Sequence, residues 1–394
     1  MKDIWVDDIE ENKQLNKKKI YISIAIAILV IVMIIVVVLY YKNDNTRKWI
    51  DKNIFRKEVL QTKVNTIDLK DNETANICAY SRYIGLLNRT KFQIYNSNGN
   101  HEKDLEIQIS NPIFDASNRF IAIAEKKGKK LYVVEDKEIA WQAEVEGDID
   151  QIHINKNGYV AVVIANTSHK SVIKLYNANG ELKFNFYLST TRAVDVSISN
   201  DNKYMAIAEV DTSGTRVQSN IKIMSIEKAS ENKEDSLERT YAAKENKLIT
   251  NVKYQDKNKL VCMYTDSINI IENEQDIELI NNDKKKIIFQ SIDLKNHVCS
   301  IEEQASGLFT ADSKVIIKDV DNKNQKEYLA NAVAKEIYTY GDIIALNLGT
   351  EVEFINTGGW LVKKYIANQE ITNIVVSNNL AGIIYRDKIE IVNF

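Results

Sequence analysis

Residues 150–188 read DQIHINKNGYVAVVIANTSHKSVIKLYNANGELKFNFYL, a series of apolar runs separated by short turns rich in Asn and Gly. The runs are Asp150–Ile154, Tyr159–Ala165, Ser171–Tyr176 and Leu182–Leu188. Such runs are typical of consecutive antiparallel strands, because tight turns need positive φ angles that Asn and Gly adopt at little steric cost. This stretch therefore predicts one four-stranded antiparallel sheet.

The second run contains a short motif of apolar residues around one small residue, and this motif recurs along the chain. It begins at Ile84, Ile121, Val160, Met205, Leu260, Ile343 and Leu380, at intervals of 37, 39, 45, 55, 83 and 37 residues. The longest interval holds one degenerate copy, near 284–332, so the mean period is about 42 residues, the length of one propeller blade. The sequence predicts an all-β fold, an eight-bladed β-propeller, and a seven-bladed ring stays open if the degenerate copy merges with a neighbour.

The end of the chain suggests how the ring closes. Phe394 comes directly after the third strand of the last unit, Lys388–Asn393. A blade without its fourth strand leaves mismatched sheet edges exposed, which is unfavourable. Residues 59–69 have no blade of their own. We expect them to pair with residues 388–393, so that the propeller occupies residues 59–394.

An apolar segment precedes the repeats. Ile20–Tyr41 contains no charged residue, Gly or Pro. As a helix it is about 33 Å long, enough to cross the hydrocarbon core of a bilayer. A cleaved signal peptide is the competing interpretation, but no small-x-small site follows before Lys42. The sequence predicts one transmembrane helix at 20–41, a tail at 1–19 and a juxtamembrane linker at 42–58.

The orientation of this helix is not decided by charge alone. Five basic residues precede the span and six follow it within 16 residues, so the positive-inside rule gives no clear answer. The cluster Lys17–Lys19 adjoins the helix, as in an uncleaved signal-anchor. We expect a single-pass protein of the cell membrane with a cytoplasmic N-terminus and an extracytoplasmic propeller, with the lipid bilayer as partner of residues 20–41.

Composition and motifs argue against several function classes. The net charge of −3 and the pI near 6.0 give no global attraction to nucleic acid. The three cysteines and four histidines lack metal-ligand spacing. Glycine-rich nucleotide loops and nucleophile elbows are absent from the sequence. We expect no nucleic-acid partner, no cofactor, no metal and no enzymatic activity.

One face of the predicted ring carries clustered positive charge. Basic residues lie at or beside the second-to-third loops of units eight, one, two and three, which are neighbours in a closed ring. They are Arg89, Lys126, Lys127, Lys129, Lys130, Lys170, Arg386 and Lys388. The hypothesis is an electropositive ligand face that binds an anionic envelope polymer or a protein. The alternative is a set of ordinary solvated side chains in hairpin turns.

The N-terminal tail holds a second candidate. Ile4, Trp5 and Ile9 form a small apolar cluster among acidic residues. Trp is a frequent anchor in protein interfaces, so this segment is a candidate docking peptide for a cytoplasmic partner. A disordered, solubilising tail is the alternative.

Parts of the chain resemble known propeller repeats. Leu131–Trp141 resembles the strand-turn-strand unit of quinoprotein-like propellers, and the whole layout resembles quinoprotein-like and WD40-like repeats. Trp141 and Trp360 occupy the expected aromatic place. The chain, including RKWIDKNIFRKEV at residues 47–59, is similar to an uncharacterised single-pass membrane β-propeller family of low-GC Gram-positive bacteria. This resemblance implies the architecture and the location and carries no known activity.

These features favour a membrane-anchored extracytoplasmic propeller that acts as a binding or scaffold module in the cell envelope. Two alternatives stay open at this point. One is a transmembrane sensor that signals through its cytoplasmic tail, and the other is an envelope glycan hydrolase or lyase.

Overall fold

A computed structural model describes residues 7–42, 50, 64–69, 75–244, 247–255, 259–272, 275–283, 285–307, 310–378 and 380–394. The chain divides into two compact units, Met1–Val59 and Leu60–Phe394. The first unit contains the helix α1 (Asp7–Lys42). The second unit contains the strands.

Helix α1 includes the apolar span Ile20–Tyr40, which is long and apolar enough to cross a membrane. The large side chains of this span are exposed in the described part of the chain. Such a surface is unfavourable in water and favourable in a bilayer. A membrane anchor and a signal sequence share these properties. Residues 1–6 of the tail and, apart from Ile50, residues 43–58 of the linker lie outside the described residues.

The described part of the second unit forms eight four-stranded antiparallel sheets, the blades of a propeller. The first strand in the chain is β1 (Asn65–Asp68). Blades 1 and 2 comprise β2 (Asn76–Tyr80), β3 (Tyr83–Leu87), β4 (Lys91–Asn96), β5 (His101–Glu106), β6 (Pro112–Ser117), β7 (Phe120–Glu125), β8 (Lys130–Glu135) and β9 (Glu138–Glu144). Blades 3 and 4 comprise β10 (Asp148–Ile154), β11 (Val160–Ala165), β12 (Ser171–Tyr176), β13 (Leu182–Leu188), β14 (Arg192–Ile198), β15 (Tyr204–Asp211), β16 (Gln218–Ser225) and β17 (Leu237–Ala242).

The remaining blades follow the same order. Blades 5 and 6 comprise β18 (Ile249–Tyr254), β19 (Leu260–Tyr264), β20 (Ser267–Glu272), β21 (Gln275–Asn281), β22 (Ile287–Ser291), β23 (His297–Ala305), β24 (Ala311–Asp319) and β25 (Gln325–Ala330). Blades 7 and 8 contain β26 (Glu336–Tyr340), β27 (Ile343–Asn347), β28 (Glu351–Asn356), β29 (Leu361–Ile366), β30 (Asn373–Val376), β31 (Leu380–Ile384) and β32 (Lys388–Asn393). A short helix, α2 (Ile226–Ser230), and the 3-10 turn Glu234–Ser236 lie between β16 and β17.

The predicted eight-bladed propeller is confirmed. The degenerate copy forms a complete blade, β22 to β25, which decides between eight blades and seven. First strands of most neighbouring blades contact each other, so the first strands surround the central channel. The second-to-third and fourth-to-first loops lie on one face of the ring, and the first-to-second and third-to-fourth turns lie on the other.

The second strand of each blade is buried on both faces. In β11, Val160 and Val162 pack against blade 2, whereas Ala161 and Val163 pack against blade 4. Successive side chains of a strand point to opposite faces, and a strand that is buried on both faces therefore reads as a continuous apolar run. Equivalent packing gives a hydrophobic cluster at each of the eight interfaces between blades.

The small residue in the repeated motif lies where neighbouring side chains leave no space for a larger one. A Cβ atom on Gly85 would lie 2.3 Å from Cζ of Phe92 and 2.9 Å from Sγ of Cys78. At equivalent places in other blades, Ala122 and Ala161 are fully buried. The small residue of the motif is therefore needed because the second strand is closely packed.

The ring closes through the two ends of the propeller. Strand β1 pairs with β32 and completes blade 8, with Ile67 opposite Ile389. Ile67 is buried in the cluster between blades 8 and 1. The side-chain amides of Asn65 and Asn393 both donate to the Ser97 carbonyl in blade 1, at 3.2 Å. Residues 59–63 of the expected closing segment lie outside the described residues.

Side-chain amides also join the first-to-second turns of neighbouring blades. The amide nitrogen of Asn155 donates to the Ser199 carbonyl at 3.0 Å, and that of Asn200 donates to the Gln255 carbonyl at 3.0 Å. The amide nitrogen of Gln255 in turn donates to the Ile292 carbonyl at 2.8 Å. These bonds tie blades 3, 4, 5 and 6 together on this face of the ring.

We predict that Gly85→Ala destabilises the propeller, because the new methyl group would overlap the Phe92 ring. Overpacking of this kind costs about 1–3 kcal/mol, so the thermal midpoint of the solubilised full chain should fall. Gly214→Ala is the matched control, since its Cβ would meet its nearest neighbour, the Arg216 carbonyl oxygen, at 3.7 Å. Equal midpoints for the two variants would contradict the prediction.

We also predict that Ile67→Ala weakens the ring closure. Removal of a buried Ile side chain costs about 2–5 kcal/mol, and this loss falls on the β1–β32 pair. Amide hydrogens of β32 should exchange faster in this variant than in the wild type, as measured by mass spectrometry. Thr66→Ala changes an exposed neighbour on the same strand and should leave exchange in β32 unchanged. Unaltered exchange in Ile67→Ala would show that β1 does not hold the ring closed.

Candidate functional site

The basic residues singled out from the sequence lie at one face of the ring. They occur in or beside the loops β3–β4, β7–β8, β11–β12 and β31–β32, in blades 1, 2, 3 and 8. Packing of blade 8 against blade 1 makes these four blades consecutive. The structure therefore brings the predicted residues onto one sector of one face. Whether this sector binds a ligand stays a prediction.

The β7–β8 loop is the most basic part of this sector, and its backbone is held on both sides. The amide of Lys126 donates to the Asn111 carbonyl at 2.8 Å, in the loop before β6. The amide of Val145 donates to the Lys129 carbonyl at 2.9 Å, in the loop after β9. Hydrogen bonds to two neighbouring loops fix the position of residues 126–130.

The basic side chains of the sector differ in whether a partner compensates their charge. Within the described part of the chain, Lys126, Lys127 and Lys129 are exposed and form no ion pair. The Lys130 ammonium donates to the Gln108 carbonyl at 3.4 Å. Lys388 is bound to Glu390, with Nζ 2.6 Å from Oε1, so its charge is compensated. Arg89, Lys170 and Arg386 are exposed as well, and the β7–β8 loop holds the densest group of positive charges in this sector.

The docking candidates in the N-terminal tail are not tested by this geometry. Ile4 and Trp5 lie outside the described residues, and Ile9 lies within α1, where its side chain is outside them as well.

A second set of polar side chains lines the central channel, and the sequence did not single them out. They come from the first strands, or the turn after the first strand, of five consecutive blades: Asp115, His153, Asp195, Lys253 and Asp293. Together they line a cavity of about 290 Å³. An adjoining cavity of about 540 Å³ shares Asp115, Lys253 and Asp293 in its wall.

Two close pairs organise this channel cluster, which we define as Asp115, His153, Asp195, Lys253 and Asp293. The Lys253 ammonium lies 2.7 Å from Oδ1 of Asp293. Nδ1 of His153 lies 3.3 Å from Oδ2 of Asp115. The carboxylate of Asp293 faces the cavity, with 58% of its side chain exposed. A solute in the cavity therefore meets charged groups.

Two carboxyl groups of the channel cluster also join neighbouring blades. Oδ2 of Asp115 accepts the backbone N–H of Ile154 in blade 3 at 2.7 Å. Oδ2 of Asp195 accepts the N–H of Val252 in blade 5 at 2.9 Å. The inner edge of a first strand has no further strand to pair with, so its N–H groups need other acceptors. These carboxyl groups therefore have a structural role as well as access to the channel.

Burial sets the protonation of the channel cluster. Burial raises the pKa of Asp195 to about 7, and the nearby Asp293 carboxylate acts in the same direction. Burial lowers the pKa of His153 although Asp115 opposes the shift, so the ring is neutral at neutral pH. Partial desolvation inside the channel disfavours the charges of Lys253 and Asp293, but their mutual attraction outweighs it, raising the pKa of Lys253 and lowering that of Asp293. The channel thus holds one stable ion pair beside one carboxyl group, that of Asp195, whose pKa lies near neutral pH.

Other chemistry-bearing residues do not form a site. The side chains of Cys78, Cys262 and Cys299 are buried and unpaired, and burial raises the pKa of each thiol. Among the described residues, no group of three His, Cys, Asp or Glu side chains is placed to hold a metal ion.

The fold is similar to that of known propellers. The C-terminal WD40 domain of Sif2 shares 12% identity with this chain at a TM-score of 0.57, over 84% of this chain and 99% of that one. BamB from Moraxella catarrhalis shares 12% identity at a TM-score of 0.49, over 84% of this chain and 100% of that one. At such identity the likeness shows the fold alone, and the comparison with curated protein sequences gives no match.

A protein-family model gives a more specific result. The model of the family of unknown function DUF5711 matches residues 56–394, which include the whole propeller. The match covers most of the chain and begins after the apolar span. The chain therefore belongs to the DUF5711 family.

Proposed function

We propose that this protein is a membrane-anchored, extracytoplasmic propeller that acts as a binding module in the cell envelope. Its ligand face is the basic sector of blades 8, 1, 2 and 3, and its ligand is an anionic envelope polymer. The observation that carries the proposal is the fixed β7–β8 loop, with exposed lysines at 126, 127 and 129.

Preorganisation supports this role. A charged loop that is already fixed loses less conformational entropy on binding than a mobile one. Neighbouring like charges repel each other in the free protein, and an anionic ligand relieves that repulsion. The loop therefore has a physical reason to bind a chain of negative charges.

The surroundings of the loop favour a polymer over a compact protein partner. Exposed lysines are depleted from the centres of protein interfaces, where aromatic residues are enriched. Exposed Lys126, Lys127 and Lys129 have only Gly128 among them. A polymer with repeated phosphate or carboxylate groups matches this purely electrostatic surface.

The anchor supports the location. The apolar span of α1 is followed along the chain by the segment that leads to β1. The cluster Lys17–Lys19 before the span favours a cytoplasmic N-terminus. The ligand face is then available to polymers outside the membrane.

We predict that an epitope tag placed after Phe394 is digested by protease added to intact cells. An extracytoplasmic propeller exposes its C-terminus to the protease, whereas a cytoplasmic tag stays protected until lysis. The measurement is immunoblotting of intact and lysed cells, with a cytoplasmic protein as the control for cell integrity. Protection of the tag in intact cells, with digestion after lysis, would reverse the proposed topology.

We predict that charge reversal at Lys126, Lys127 and Lys129 to Glu weakens polymer binding at least tenfold. The probe is fluorescently labelled poly(glycerol phosphate), and the readout is anisotropy with the full chain in detergent. Wild-type affinity should fall as salt rises from 50 to 300 mM, values chosen for the assay, because salt screens exposed charges.

The matched control reverses Lys156, Lys203 and Lys326, which are exposed residues outside the basic sector. Its change in net charge is identical, so a general charge effect would weaken both variants equally. Equal affinity of the two variants would contradict a specific role of the β7–β8 loop. Circular dichroism of both variants checks that the propeller is intact.

A further inference from the structure

We propose that the channel cavity binds a small organic cation that carries primary amines. The site is formed by Asp195, Lys253 and Asp293 together with Asp115 and His153, and it is separate from the basic sector. The proposal does not depend on polymer binding, because it rests on different residues.

The first argument is the balance of charge and hydrogen-bond donors. Three carboxyl groups, from Asp115, Asp195 and Asp293, line the cavity. Among the described lining residues of both cavities, Lys253 is the one cationic side chain, and it is already bound to Asp293. The neutral ring of His153 adds an acceptor nitrogen. A ligand that supplies donors and positive charge corrects this imbalance.

The second argument comes from a neighbouring amide. Gln290 lines both cavities. Its side-chain oxygen is buried and has no hydrogen-bond partner among the residues that the structure describes. Removing an acceptor from water without giving it a donor costs free energy, and most buried polar groups in proteins do have a hydrogen-bond partner. This acceptor is uncharged, so it points to a hydrogen-bond donor independently of the carboxyl groups.

The size and shape of the channel limit the ligand. The cavities measure about 290 and 540 Å³, so the smaller one lies at the lower limit of the range for small-molecule sites and the larger one lies within it. Acceptors from several blades surround the space, and a primary ammonium offers three donors in different directions. A short aliphatic diamine fits this arrangement better than a flat or bulky cation.

Proton binding at Asp195 supports the same conclusion. Its carboxyl group faces the Asp293 carboxylate, the side chain of Asn251, and the backbone N–H groups of Val196 and Val252. Burial and Asp293 raise its pKa to about 7, so a proton partly neutralises the site at neutral pH. A bound ammonium favours the ionised carboxylate, so ligand and proton compete. Binding should therefore weaken as the pH falls through 7.

The experiment is isothermal titration of the full chain in detergent with 1,4-diaminobutane. The neutral control ligand is 1,4-butanediol, which has the same chain length. We expect saturable binding of the diamine at pH 8, no binding of the diol, and diamine binding that is weaker at pH 6 by up to about tenfold, the limit for one competing proton with a pKa of about 7. The diamine stays fully protonated over this range, so a change in affinity reports on the protein.

Variants test the assignment to the channel. Asp195→Asn and Asp293→Asn should each weaken diamine binding at least tenfold. Asp283→Asn makes the same change at an exposed position outside both cavities and should bind like the wild type. If Asp195→Asn does not fold, Asp293→Asn and the pH series of the wild type still decide the question.

Four outcomes would overturn the proposal. One is the absence of diamine binding at pH 8, and another is equal binding of the diol. The third is loss of binding in Asp283→Asn to the same extent as in Asp293→Asn, which would place the diamine on the general surface. Potassium ions that displace the diamine at equal concentration would likewise reject an organic cation as the ligand. None of these results bears on poly(glycerol phosphate) binding.

Discussion

The pairing of β1 with β32 is the contact on which the rest of the ring depends. Each blade is a sheet with two apolar faces, and each face is buried only by a neighbouring blade. In an open array the two end blades would each expose one such face. Closure by β1 brings blades 8 and 1 together through Ile67 and Ile389 and completes the last sheet. Burial of apolar surface is the main favourable term in folding, so closure completes the core at the point where the chain would otherwise leave it open.

Closure also creates both candidate sites. The basic sector is continuous because blade 8 lies next to blade 1, which joins Arg386 to Arg89 around the ring. The channel cluster exists because first strands from five blades surround one cavity. Its carboxyl groups serve two purposes, since Asp115 and Asp195 also accept backbone N–H groups from the next blade. A ligand that acts on these carboxyl groups would therefore act on contacts between blades.

Local structure followed the sequence closely. The residues 150–188 contain the predicted strands, with β10 beginning two residues earlier and β11 one residue later than the apolar runs indicated. The Asn and Gly turns behave as their chemistry requires. Oδ1 of Asn177 accepts the backbone N–H groups of Asn179 and Glu181, and Gly180 has a φ of +81°. The degenerate copy has a weaker apolar pattern than the other blades, because its first and last strands are partly exposed.

The sequence by itself determined the strands, the blade period, the apolar span and the face on which the basic loops lie. These features are local: they depend on alternation of side chains, turn residues and the length of one helix. Only the tertiary structure decided the number of blades, the pairing of β1 and the channel cluster. Successive members of that cluster are about 40 to 60 residues apart along the chain, and their strands are buried by neighbouring blades. Lys253 and Asp293 look like ordinary surface residues in the sequence, and their charges pair because the packing of blade 5 against blade 6 brings Nζ of Lys253 within 2.7 Å of Oδ1 of Asp293.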